Sequence, residues 1–139
     1  ARADVSLGYM NSEVTDPIMG TPRRISGEFY KSYSLALRQD FQGTAWAMGA
    51  SVDYDESTPR VRIDEVSFYN KSRGTANVYV ENKDVMGLTV RVNIWNLLGA
   101  ENRFRRTVYA DRLASDVLFS ERRSRRFGFS YTLNIEGAF

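Results

Sequence analysis

Eight arginines crowd two short runs near the C-terminal end of the chain: Arg103, Arg105, Arg106 and Arg112, then Arg122, Arg123, Arg125 and Arg126. A guanidinium stays charged and offers a planar fork of donors that matches phosphate and carboxylate. The two runs flank a loop, so antiparallel pairing would bring them side by side. So many like charges in one zone require anions nearby, and Glu101, Asp111, Asp116 and Glu121 are close in sequence. Two readings follow. Either the carboxylates neutralise the arginines and the zone is a solvated rim, or the rim meets an external anionic group. For the second, the candidate contacts are Arg103, Arg105, Arg106, Arg112, Arg122, Arg123 and Arg125. The rest of the chain is also Arg-biased, with Lys31, Lys71 and Lys83 its only lysines, while the net charge is just +2.

Other chemistries are excluded by residue type. With no His and no Cys, neither Ser-His nor Cys-His nucleophile systems, nor the usual zinc sites, nor disulfides can be built from this chain. Asp64 and Glu65 are adjacent carboxylates, but neighbours on a strand point to opposite faces and make poor acid/base partners. Asp53, Asp55 and Glu56 offer hard oxygen ligands at a strand end, without the glycine or ligand count of a dedicated calcium loop. No catalytic residue, metal or cofactor is expected. The stretch RRSRRFGFSY mixes arginines with aromatics, as single-strand nucleic-acid binders do. On an extended strand its aromatic and polar residues alternate to opposite faces, so no nucleic-acid partner is expected.

The elements that must position these residues are strands. From Phe127 to Ile135 every odd residue is large and apolar, and from Arg126 to Glu136 every even one is charged, small or polar. Such alternation predicts a strand with one apolar and one polar face. The same pattern recurs from Ala3 to Met10, Gly27 to Phe41, Thr44 to Asp55, Ala76 to Glu81 and Leu88 to Trp95, and weakens over Val61 to Tyr69 with a bend expected at Arg73-Gly74. No segment has a competing helical period, and none approaches the length of apolar run that a spanning helix requires. The mean hydropathy of −0.42 is that of a polar chain. It fits a barrel in which only alternate residues meet lipid. The first residues, ARADVSLGYM, read as strand and carry no signal-peptide pattern.

Connections alternate between long (near 11–26, 55–61 and 98–120) and short (Gln42-Gly43 and Val85-Met86-Gly87). Long loops outside and short turns in the periplasm are the habit of outer-membrane barrels. Aromatic residues near strand ends, Phe41, Trp46, Tyr54 and Phe139, suit interfacial girdles. About six spanning strands are expected, fewer than the roughly eight that a single-chain barrel needs to close. An open edge in lipid leaves backbone groups unsatisfied at several kcal/mol each. The chain is therefore expected to close only with more protein. The fold class expected is all-β, an antiparallel transmembrane β-barrel segment, with residues 1–139 forming one unit.

The ending resembles the C-terminal strand of Gram-negative outer-membrane β-barrels, the signal read by the barrel assembly machinery: Arg126, Gly128, Tyr131, Leu133, Ile135 and the terminal Phe139. Gly137 departs from that pattern, which prefers an apolar side chain. VRVNIWNLLGAENRF, with Asn96, Leu97, Leu98 and Gly99 at its bend, resembles the penultimate strand of TonB-dependent receptors, and YMNSEVTDPIMGTPRRIS is similar to a late loop of that class. The resemblance spans nearly the whole chain, as the C-terminal part of a longer protein whose barrel has about 22 strands around a plug. Nothing resembles the plug domain or the box that binds TonB. What the resemblance implies is uptake of a scarce, bulky nutrient such as a siderophore, cobalamin or glycan at the bacterial outer membrane. The implied partners are the remainder of the barrel and its plug, TonB through that plug, the barrel assembly machinery and lipopolysaccharide. Two alternatives stand beside it: a small autonomous outer-membrane barrel serving as a structural or pore protein, and a soluble β-barrel binding a hydrophobic ligand.

Overall fold

Alternating sequences give strands, and the structure, a computed structural model describing residues 1–137, contains strands and no helix. In chain order they are β1 (Arg2–Tyr9), β2 (Val14–Thr15), β3 (Pro22–Arg23), β4 (Phe29–Asp40), β5 (Trp46–Ser57), β6 (Arg60–Val61), β7 (Glu65–Lys71), β8 (Thr75–Val85), β9 (Leu88–Trp95), β10 (Glu101–Asp111), β11 (Asp116–Arg126) and β12 (Ser130–Glu136). Six of them form the main sheet in the order β1-β4-β5-β8-β9-β12. A second sheet runs β11-β10-β7-β6, and β2 pairs with β3 inside the first long connection. All pairings are antiparallel. The described residues form open sheets and do not close into a barrel. Phe139 of the expected assembly signal lies outside them.

Besides the β5–β6 connection at residues 58–59, three ribbons pass from one sheet to the other. β7 leads into β8 through residues 72–74, where a bend was expected at Arg73-Gly74; β9 leads into β10 through 96–100, and β11 into β12 through 127–129. Asn96 ties these junctions together. It adopts φ +59°, a left-handed conformation that Asn tolerates better than most residues. Its Oδ1 accepts from Ala100 N at 2.8 Å, its Nδ2 donates to Phe127 O at 2.6 Å, and its own N–H donates to Asn77 Oδ1 at 3.1 Å. Asn96 thus links its own ribbon to the start of β12 through its side chain and to β8 through its backbone. The long connection expected near 98–120 is corrected: most of it is the β10–β11 hairpin, closed by a turn in which Asp111 Oδ1 accepts from Leu113 N at 2.8 Å. The Arg-rich stretches keep extended backbone because β7 supplies a third strand for them to pair with.

Register carries the alternation across the main sheet. One face bears the rows Val5–Leu35–Val52–Ala76, Ala3–Leu37–Ala50–Val78–Ile94–Tyr131 and Met48–Val80–Val92–Leu133. Nothing covers it. Leu35, Val80 and Val92 have strands on both sides yet expose 40%, 48% and 45% of their surface. Among the described residues the only buried hydrophobic ones are Ala47 and Ala100, whereas Asp16, Thr58, Ser67, Glu81, Asn93 and Arg112 are buried. Full burial of a large apolar side chain is worth about 1.5–3 kcal/mol, and net stabilities are only about 5–15 kcal/mol. A sheet that forgoes this gain over whole rows lacks a core of its own, and the apolar face needs a medium or partner to cover it.

Two glycines meet specific demands. At Gly49 a Cβ would strike the Tyr79 ring and lie 2.7 Å from Leu37 O. At Gly137, the departure from the C-terminal strand pattern, a Cβ would run into the Leu88 side chain. The two-residue β8–β9 turn has φ +57° at Met86 and +83° at Gly87, as a type I′ hairpin requires. Met is poorly suited to its position. Met86→Asn is expected to stabilise the hairpin by about 0.5–1 kcal/mol, because Asn bears positive φ at lower cost; a higher urea midpoint with an unchanged slope is the readout.

Candidate functional site

The other face of the main sheet is where the polar side chains meet. Row Arg38–Gly49–Tyr79–Asn93–Thr132 lies beside row Asp40–Ala47–Glu81–Arg91. Glycine and alanine on β5 leave the middle of both rows low, so long side chains from β4, β8 and β9 reach across. Arg38 Nη2 donates to Glu81 Oε1 at 2.8 Å and Nη1 to the Tyr79 hydroxyl at 3.0 Å, while its Nε lies 3.1 Å from Asp40 Oδ2. Lys83 reaches the same Asp40 at 2.5 Å, and Arg91 sits 3.4 Å from Glu81 Oε2. The Arg91 guanidinium lies 3.7 Å from the Tyr79 ring centroid, a cation–π distance. Next to it, Asn93 Nδ2 donates to Thr132 Oγ1 at 3.2 Å. The face forms a recess of about 410 Å³ floored by the sheet and walled by Arg38, Tyr79, Arg91, Asn93 and Trp95. Its charges alternate in sign and most of its donors are satisfied, the buried Arg91 Nε being an exception. That suits a polar protein surface or water better than a greasy ligand. Composition and spacing did not single out Tyr79, Glu81 or Arg91, because only the register sets them over the gap at Ala47 and Gly49.

The arginine zone is the second candidate. Pairing does bring the two runs side by side: Arg105 opposes Arg122, Phe104 opposes Arg123 and Arg106 opposes Glu121. Arg106 is 3.0 Å from Glu121, Arg123 also bonds Glu121, and Arg126 holds Glu101 at 2.5 Å. These contacts pull both carboxylates below their ordinary pKa, Glu101 chiefly through Arg126 and Glu121 chiefly through Arg123. Arg103 reaches Glu101 only at 3.8 Å. Arg125 lies 5.1 Å from the Phe127 ring centroid and Arg123 5.3 Å from that of Phe104. Arginine and aromatic therefore share a face here, unlike the strict separation expected for RRSRRFGFSY, because a ring two residues away or directly across lies on the same side of the sheet. Arg105 and Arg122 face no carboxylate among the described residues. Of the expected assembly-signal positions, Tyr131, Leu133 and Ile135 are exposed on the apolar face, and Gly128 has open space around its Cα.

Arg112 leaves the zone altogether. It is buried, and its Nη2 lies 2.5 Å from Asp16 Oδ1, across to the first long connection. Asp16 also accepts from Ile18 N at 2.9 Å, Met19 N at 3.0 Å and Arg23 Nε at 2.9 Å. Residue type marks Asp16 only as a turn former before Pro17; its long-range partner is set by the fold. The Met19 amide, followed by the Ile18 amide and the Arg112 and Arg23 guanidiniums, holds the Asp16 carboxyl well below the usual carboxylate range.

Comparison with protein-family models, with curated proteins and with solved structures finds no match to this chain in any of the three.

Two expectations follow. Asp16 has a depressed folded-state pKa, so its contribution is complete above the unfolded carboxyl value near 3.9 and is lost as pH falls through the lower folded value. Limited proteolysis of residues 11–28 should accordingly stay slow down to about pH 4 and accelerate only in stronger acid. Asp16→Asn should make it fast at neutral pH; equal cleavage of both proteins at neutral pH would remove the latch. On the sheet, Glu81→Leu leaves Arg38 and Arg91 without their shared carboxylate and should cost about 1–3 kcal/mol of unfolding free energy. Asn134→Leu, one strand from Arg91 with no ion pair to break, should cost less than about 0.5 kcal/mol.

Proposed function

We propose that this chain is the closing part of a TonB-dependent outer-membrane transporter, supplying strands, outer loops and the assembly signal to a barrel of about 22 strands. The observation that carries the reading is the inverted burial of the six-stranded sheet. Its apolar face lies bare, while its polar face draws Glu81 and Asn93 out of solvent. A soluble barrel needs the opposite, whereas a transmembrane barrel needs this arrangement, with apolar residues toward lipid and polar ones toward the lumen. Strand length agrees. Trp46 and Tyr54 on β5 are separated by about 26 Å of strand, at roughly 3.3 Å per residue, of the order of the ~25 Å apolar band between aromatic girdles.

The edges of β1 and β12 have no partner among the described residues. In hydrocarbon such edges must be paired, and the rest of the barrel is the partner that would pair them. The recess around Tyr79 and Arg91, mixed in charge and polar, suits contact with a plug that fills the lumen. The junction stapled by Asn96 is the bend that carried the resemblance to this receptor class. Transport of a siderophore, cobalamin or glycan would need the plug, and TonB engaged through it, so uptake is a property of the assembly.

Spin labels placed singly along β12 in native membranes test the topology. Positions 131, 133 and 135 should be accessible to oxygen and shielded from a water-soluble nickel chelate, and 130, 132 and 134 should be shielded from lipid-dissolved oxygen. The opposite phase, or release of the protein by carbonate washing, would sink the membrane reading. Transport is tested separately: deleting the gene should abolish protonophore-sensitive uptake of one such nutrient, and undiminished uptake of all three would leave a structural or pore barrel.

A further inference from the structure

The four-stranded sheet carries a repulsion that the chain does not relieve. Register places Arg103, Arg105 and Thr107 of β10 on one face with Ser124, Arg122 and Ser120 of β11, and with Asn70 and Phe68 of β7. Arg105 and Arg122 are direct cross-strand partners, which puts their Cβ atoms about 4.5–5.5 Å apart, and like charges so placed are destabilising. Other arginines of the zone have relief: Arg106 and Arg123 at Glu121, Arg126 at Glu101, Arg112 at Asp16, Arg125 over the Phe127 ring, while Arg103 reaches Glu101 only at 3.8 Å. Around Arg105 and Arg122 the same face offers Thr107, Ser120 and Ser124, whose hydroxyls can donate, and no adjacent carboxylate among the described residues. Its nearest acid, Glu101, lies at the rim and is held by Arg126 and Ser124.

We infer that Arg105 and Arg122, flanked by Arg103, form an oxyanion site for a phosphomonoester group. Charge selects the class. Two facing guanidiniums are neutralised by a group carrying about −1.5 to −2, which a phosphomonoester has near neutral pH and a carboxylate does not. Shape agrees, since two forks from adjacent strands can each take two oxygens of a tetrahedral anion. The site needs only the β10–β11 register and does not rest on the transport reading.

The test uses the full polypeptide that carries this chain, purified in neutral detergent and titrated calorimetrically with inorganic phosphate. A second arm measures binding to phosphatidylcholine vesicles with and without phosphatidic acid. Arg105→Gln/Arg122→Gln should weaken binding about tenfold or more, since charge-assisted hydrogen bonds are each worth about 1.5–3 kcal/mol. Arg105→Lys/Arg122→Lys, which keeps charge and loses the fork, should fall between. Arg123→Gln, whose parent residue is already paired, should change affinity less than about threefold. Circular dichroism of each variant checks that the sheet is intact. Tighter binding to phosphatidic acid vesicles than to inorganic phosphate assigns the site to a lipid headgroup, and equal binding assigns it to soluble phosphate. Wild-type affinity in the Gln pair, or acetate binding as well as phosphate, overturns the inference.

Discussion

Every long strand of the main sheet presents its apolar residues to a face that no other described residue covers, and much of the rest follows from that constraint. With that face turned outward, the other must accommodate charged and amide groups without stranding them, since an unpaired buried charge costs far more than a lost surface contact. The network through Arg38, Glu81, Arg91 and Asp40 pairs each charge with an opposite one, leaving Arg91 Nε as a buried donor without a hydrogen bond. It is possible only because β5 has Ala47 and Gly49 where larger side chains would lift Arg38 and Tyr79 off the sheet. Small residues on one strand and long ones on its neighbours are two halves of a single packing solution.

The same three ribbons serve two sheets, and the junction between them is a hydrogen-bonding problem. A strand that changes partners leaves amides and carbonyls between ladders, and each needs a new partner. Asn96 supplies several at once, from a conformation that most side chains resist. Beyond that junction β10 pairs with both β11 and β7, so the Arg-rich segments are held as a hairpin within the long connection expected near 98–120. That pairing matters for electrostatics, because arginines on a loop could separate and arginines locked in register cannot.

The two ends of that hairpin treat charge differently. At the tip Arg112 is buried against Asp16, tying together segments 96 residues apart in sequence. In the middle Arg105 and Arg122 are held face to face with only neutral groups beside them. The first arrangement stabilises the loop that contains β2 and β3. The second stores repulsion that an anion can release.

Alternation alone determined that the chain is all-β, which residues share a face, and that about six strands make up the principal sheet, because side-chain direction along a strand depends only on local backbone geometry. It also placed the short turns at Gln42-Gly43 and Met86-Gly87, where Gly43 and Gly87 take up positive φ. The tertiary structure alone decided which arginines are spent and which are free. Arg112 and Arg105 look alike in sequence, yet one is buried at Asp16 and the other faces Arg122. Likewise nothing local marks Tyr79, Glu81 and Arg91 as neighbours or Asn96 as a staple. Their roles depend on register and on contacts between distant segments, and a strand's own periodicity does not encode the phase of its partner.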